Sequence, residues 1–147
     1  MRKQVAGDVE NAAAPFVECD EGCQRGTRRM EASVKYVILI MFTEAGRNVT
    51  EAENQAWYND ITAWYEKGGG GSGKLADGGH QLAPAAAAKT VRASGVTDGP
   101  FMETKEALGG FSVLETDTID EAVEIAKTWP GVERGWMTIE VRPVLAM

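Results

Sequence analysis

Thr97-Asp98-Gly99-Pro100-Phe101-Met102-Glu103-Thr104-Lys105-Glu106, followed by Gly109-Gly110-Phe111, combines turn chemistry with a dense set of ionisable side chains. Gly99 is free to take positive φ, Pro100 fixes its own φ and brings no backbone donor, and the Asp98 carboxylate can accept from neighbouring amides. The stretch therefore reads as a tight corner between strands. The same residues admit a second reading, because Asp98, Glu103, Lys105 and Glu106 lie within a few positions of a rigid turn, where acid and base groups are held at fixed separation. On composition the loop reading stands ahead of the catalytic one.

Ahead of the corner, Val34 to Phe42 is β-branched and apolar at both alternating sets of positions, as in a central strand buried on two sides. Thr50 and Glu53 form a capping box that opens a helix, in which Trp57, Ile61 and Trp64 follow at spacings of four and three with Tyr58 and Tyr65 alongside. That aromatic stripe reads as core packing in preference to a ligand cage. The run Gly68-Gly69-Gly70-Gly71-Ser72-Gly73-Lys74 approaches a phosphate-loop pattern but has Leu75 where the magnesium-binding hydroxyl belongs, with a helix before it and a strand-like segment after it. It reads as a glycine C-cap and a flexible corner. Leu75 to Leu82 and Lys89 to Ala93 read as strands joined by the Pro84 linker.

Behind the corner, Gly109 to Glu115 reads as a strand. Thr118 and Glu121 repeat the capping logic at a second helix, whose inner face carries Ile119, Ala122, Ala126 and Trp129 and which Pro130-Gly131 ends. In the last strand Met137, Ile139 and Val141 alternate with Trp136, Thr138, Glu140 and Arg142, giving one core face and one face able to line a cleft. The expected order is β-α-β-β-β-α-β. Two helices cover only one face of such a sheet, so a second copy of the chain is the simplest cover for the other, and a homodimer is expected.

Several of these motifs stand together in one order: Pro84, Lys89-Thr90-Val91-Arg92, Asp98-Gly99-Pro100-Phe101, Glu103-Thr104-Lys105-Glu106-x-Leu108-Gly109-Gly110-Phe111, Asp120-Glu121-Ala122 and Ile139-Glu140-Val141-Arg142-Pro143. In them, residues 34 to 147 resemble the YCII-related proteins, specifically the branch called DGPF-domain proteins. The resemblance implies an α+β, ferredoxin-like domain, an antiparallel sheet with two helices on one face, assembled as a dimeric α+β barrel. Small lyases and isomerases acting on aromatic or lactone intermediates share that fold. It thus implies a dimeric small-molecule-binding protein with lyase- or isomerase-type acid–base chemistry, for which Asp98, Glu103, Lys105, Glu106 and the lone His80 are the catalytic candidates. Arg92, Phe101 and Arg142 are the ligand-binding candidates. The better-known YCII branch uses a His and Asp pair, but its histidine stands in a different sequence context from His80. DGPF relatives in bacteria often accompany alternative sigma factors, so the alternative is a non-catalytic regulatory partner of a sigma factor. A third reading has the charged motif locking a turn by salt bridges. A pocket holding at least two of the ionisable candidates separates the enzyme from the turn lock, whose charges would be solvated or paired at the dimer seam.

The chain has 147 residues with a formal net charge of −7, 44% hydrophobic and 25% charged, which suits one modest core. The acidic balance, with no basic stripe, argues against nucleic acid as a partner. No apolar run approaches the ~20 residues of a membrane span, and no apolar segment of a secretory signal follows Met1-Arg2-Lys3, so a cytoplasmic location is expected. Residues 1 to 33 show no sustained periodicity and read as a flexible extension before the domain at 34–147. Cys19 and Cys23, with His80 far away, fall short of a four-ligand zinc site and read as incidental thiols; neither a metal nor a cofactor is expected. Met30, just ahead of the legible region, is a candidate physiological start, and the intact mass of the natively expressed protein decides that point.

Overall fold

The computed structural model describes residues 33–146; Cys19, Cys23 and Met30, with the readings attached to them, lie outside these residues. Strand β1 (Val34–Phe42) buries Tyr36, Ile38 and Ile40 on one face and leaves Val37, Leu39 and Met41 half-buried on the other. It lies between β5 (Ala107–Thr116) and β6 (Met137–Pro143), and β2 (Leu75–Gln81) pairs with the outer side of β5, giving the order β2-β5-β1-β6. All three pairings are antiparallel. Leu39 faces Phe111, Val37 faces Val113, and Glu140 and Arg142 of β6 stand opposite Leu39 and Val37, so these residues share one sheet face.

Two helices pack on the opposite face. A four-residue turn, α1 (Glu44–Arg47), precedes α2 (Glu51–Glu66), whose capping box forms as expected: Thr50 N donates to Glu53 Oε2 at 2.8 Å and Glu53 N to Thr50 Oγ1 at 3.3 Å. Trp57 and Trp64, seven residues apart, enter the core together. Their indole N–H groups donate to Pro130 O at 2.7 Å and Thr128 Oγ1 at 2.8 Å, which ties α2 to the chain just after α3 (Ile119–Lys127). The glycine run ends α2: the Gly68 and Gly69 amides donate to Tyr65 O and Trp64 O, and positive φ from Gly68 to Gly71 turns the chain away. On α3, Ala122, Ile125, Ala126 and the following Trp129 are buried, whereas Ile119 is 42% exposed. Ile119 thus leaves the expected inner face and Ile125 takes its place, because i, i+3, i+4, i+7 from Ala122 is the row that meets Ile38 and Leu114.

The fold is α+β and ferredoxin-like, with both longer helices on one face of an antiparallel sheet. It departs from the expected order at β3 (Lys89–Arg92). That strand leaves the main sheet and forms a hairpin with β4 (Gly95–Asp98), pairing Lys89 with Asp98 and Val91 with Val96. The Asp98-Gly99-Pro100 corner therefore follows a two-stranded arm and does not join two strands of the main sheet. A short strand after Arg92 escaped the sequence reading because it has only four residues and its β-branched pair, Val96 and Thr97, stands between two turn formers, Gly95 and Asp98; the cross-strand partner supplies the order that so short a run lacks.

Candidate functional site

The charged corner is held to the arm by short local contacts. Lys89 Nζ reaches Asp98 Oδ1 at 2.5 Å with both side chains largely in solvent, Arg92 donates to Thr97 Oγ1 at 3.0 Å and Phe101 O at 3.2 Å, and its guanidinium lies 5.6 Å from the Phe101 ring centre. Thr90 Oγ1 donates to Gly99 O at 2.9 Å. Arg92 and Phe101 are thus brought together, but as a clasp across the turn, with Phe101 71% exposed. Glu103 and Lys105 are exposed; the Lys105 carbonyl accepts from Arg47. Glu106 accepts from Thr138 Oγ1 at 3.1 Å, and Arg142 pairs with Glu140 on β6. These charges stay solvated or paired with close neighbours, and no candidate residue among them lines the cavity or the groove beside α2.

The concavity lies elsewhere, between α2 and the β2–β5 edge. A cavity of about 470 Å³ is walled by the side chains of Phe42, Trp57, Tyr58, Ile61, Tyr65 and Trp129, with the β2 segment Gly78 to Gln81 and the β5 segment Gly109 to Phe111 along its edge. Its volume is in the range of small-molecule sites. Of the candidate catalytic and ligand-binding residues, His80 stands at its edge, but as the cross-strand partner of Phe111, 6.0 Å away ring centre to centre, its ring lies with Phe111 and Leu39 on the helix-free face, whereas Gln81 turns to α2. No Lys, Arg, Asp or Glu is among the described residues that line it. An outer groove of about 540 Å³, which includes Arg47, Glu51 and Asn54, shares Phe42, Trp57, Tyr58 and Gln81 with the cavity. In that shared wall Gln81 Nε2 donates to the Tyr58 hydroxyl at 2.8 Å.

Two glycines of β2 shape the floor. The register between β2 and β5 shifts on both sides of Asp77, and Gly79 takes φ of 63° while its amide donates to Asp77 Oδ1 at 2.7 Å. A Cβ at Gly79 would overlap the carbonyl of Phe111, so only glycine lets the strands approach here. The bulge turns the Gly78 carbonyl to Ser112 Oγ, 2.8 Å away, and Ser112 Oγ lies 2.6 Å from the Tyr65 hydroxyl. Ser112 is fully buried. Burial pushes the Tyr65 hydroxyl above its ordinary value of 10.0, while the Ser112 bond pulls it the other way. Tyr65 and Ser112 were missed in the sequence because a Tyr beside Trp64 reads as core and a Ser within an apolar strand reads as filler. The signal that points to them is Gly78-Gly79 inside a strand, which marks a bulge.

The family model of the YCII-related domain matches residues 34–147, nearly all of the described chain. The chain belongs to the YCII-related family. It is also similar to an uncharacterized protein of Rhizobium meliloti (strain 1021), 40% identical over 68 residues, a match covering 44% of this chain and 55% of that protein. The match thus spans about half the length of that relative. In this YCII-related chain, no three His, Cys, Asp or Glu side chains among the described residues gather closely enough to hold a metal ion, and no described helix is long and apolar enough to cross a membrane.

Proposed function

We propose that this YCII-related protein is a dimeric, cytoplasmic small-molecule-binding protein whose site is the cavity between α2 and the sheet. The observation that carries the reading is the combination of an aromatic wall with polar groups at a few points, the Tyr58 and Tyr65 hydroxyls and the Gln81 amide, the pattern by which small ligands are desolvated and then oriented. Any acid–base step of lyase or isomerase type finds little support in this cavity: Asp98, Glu103, Lys105 and Glu106 do not line it, and His80 stands at its edge with its ring against Phe111 on the helix-free face. The dimer is supported by the helix-free sheet face, where Val37, Leu39, Met41, Phe111 and Val113 form an apolar field flanked by Lys35, Glu115, Glu140 and Arg142. A sigma-factor partner would compete for the same face, and light scattering of the purified protein separates the two, since a second copy needs no other component.

The site is tested by a thermal-shift screen of small aromatic compounds against the wild type and Ile61→Trp, which fills the cavity. Compounds that raise the wild-type Tm and leave the filled variant unmoved support the site. Equal shifts in both proteins, or shifts abolished by Asp98→Asn and Glu103→Gln in their place, would move the site to the charged corner.

A further inference from the structure

The chemistry of the ligand follows from where the protons lie at the cavity floor. Ser112 carries one hydroxyl proton, and a carbonyl only accepts, so the 2.8 Å contact to Gly78 O takes that proton. The Tyr65 hydroxyl, 2.6 Å from the same Ser112 oxygen, must then donate to it. The chain Tyr65 O–H to Ser112 O–H to Gly78 C=O has one direction. It leaves the Tyr65 oxygen with lone pairs and no free proton, at the wall of a cavity that has no charged Lys, Arg, Asp or Glu among its described lining residues. An ion placed there would lose its water without a counter-charge, and a ligand group that only accepts would face another acceptor. The Trp129 ring stands 5.2 Å from that of Tyr65, and Phe42, Trp57 and Tyr58 add aromatic walls to the same cavity, which suit a flat apolar body.

We propose that the cavity selects an uncharged aromatic molecule carrying a hydrogen-bond donor, of the phenol or aromatic-amine class, with the donor bonded to the Tyr65 oxygen. The proposal rests on the cavity being the binding site and adds what that site prefers. Tyr65 is here a specificity-determining residue; its orientation is set by Ser112, and the direction of the Ser112 proton by the carbonyl that the Gly78-Gly79 bulge presents.

The test is isothermal titration calorimetry of the full chain with 4-ethylphenol, its methyl ether 1-ethyl-4-methoxybenzene, and ethylbenzene. The last is the most apolar of the three and would bind best if burial alone decided. The wild type is expected to bind 4-ethylphenol about fivefold or more tighter than either analogue, the worth of one net hydrogen bond. Tyr65→Phe should bring the three affinities within about twofold of one another while ethylbenzene still binds, which shows that the cavity survives. Ser112→Ala removes the acceptor that holds the Tyr65 proton; the freed proton can be offered to an ether, so the ratio of phenol to ether should narrow. If all three ligands bind the wild type equally, or the phenol preference persists in Tyr65→Phe, the donor selection is wrong and the cavity reading stands. If none of the three binds, both are wrong.

Discussion

Gly79→Ala tests whether the bulge is the element that builds the cavity floor, and Gly71→Ala supplies its control. Both glycines have positive φ, 63° at Gly79 and 90° at Gly71, so each alanine bears the left-handed penalty of about 1–2 kcal/mol. They differ in surroundings. A Cβ at Gly71 has open space within 4 Å, whereas one at Gly79 would overlap the Phe111 carbonyl and crowd Ser112 Cα, atoms of a β5 backbone that is itself paired to β1. The clash cannot be relieved by a side-chain rotation, so β2 must move away, and forced overpacking of this kind adds about 1–3 kcal/mol. Gly71→Ala should therefore cost about 1–2 kcal/mol and Gly79→Ala about 2–5 kcal/mol in urea unfolding. Gly79→Ala should also lengthen the Ser112 to Gly78 contact and weaken binding of any cavity ligand. Equal costs for the two variants, measured as midpoint changes at constant m-value, would refute the argument that close approach fixes glycine at this position.

Asp98→Asn removes a solvent-exposed ion pair with Lys89 and should change stability by no more than about 0.5 kcal/mol in the same assay. Leu114→Ala, fully buried on the central part of β5, should cost about 2–5 kcal/mol. Glu53 is held below its ordinary value of 4.5 by the Thr50 backbone and side-chain bonds, with a small further pull from Arg134. Its contribution is present above that ordinary value and is lost as pH falls through the lowered one, so acid unfolding followed by circular dichroism should be less steep in Glu53→Gln. Tyr65 has the opposite sign: its raised value favours the protonated form, so its contribution is present below 10.0 and is lost as pH rises through the folded-state value, which Tyr65→Phe should abolish in alkaline titration.

The sheet and its helices were legible because their signals are local and redundant. The apolar run Val34 to Phe42, the capping box at Thr50, the N-cap at Thr118, and the alternation of Met137, Ile139 and Val141 each name an element on their own, and burial of Ile38 and Leu114 agrees with all of them. The hairpin was not legible, because β4 has only two strand-favouring residues, Val96 and Thr97, between Gly95 and Asp98, and depends on pairing with β3 for its order. Charge density drew attention to Asp98 through Glu106, yet such residues are dense where solvent is, and these make contacts confined to the arm, α1 and β6. The cavity depends on residues from α2, β2, β5 and the end of α3 that are far apart in sequence and mostly apolar. Periodicity identified the aromatic face of α2 and assigned it wholly to the core; Trp57 and Trp64 are indeed buried, while Tyr58, Ile61 and Tyr65 of the same stripe face the cavity as well.

The measurement that bears most directly on the site is a two-dimensional amide and indole NMR titration with 4-ethylphenol. Binding in the cavity predicts shifts at the backbone amides of Gly78, Gly79 and Phe111 and at the Trp57 indole, with the amides of Glu103 and Lys105 on the exposed arm unmoved. Shifts confined to Asp98 through Glu106, with those cavity signals unchanged, would contradict the account.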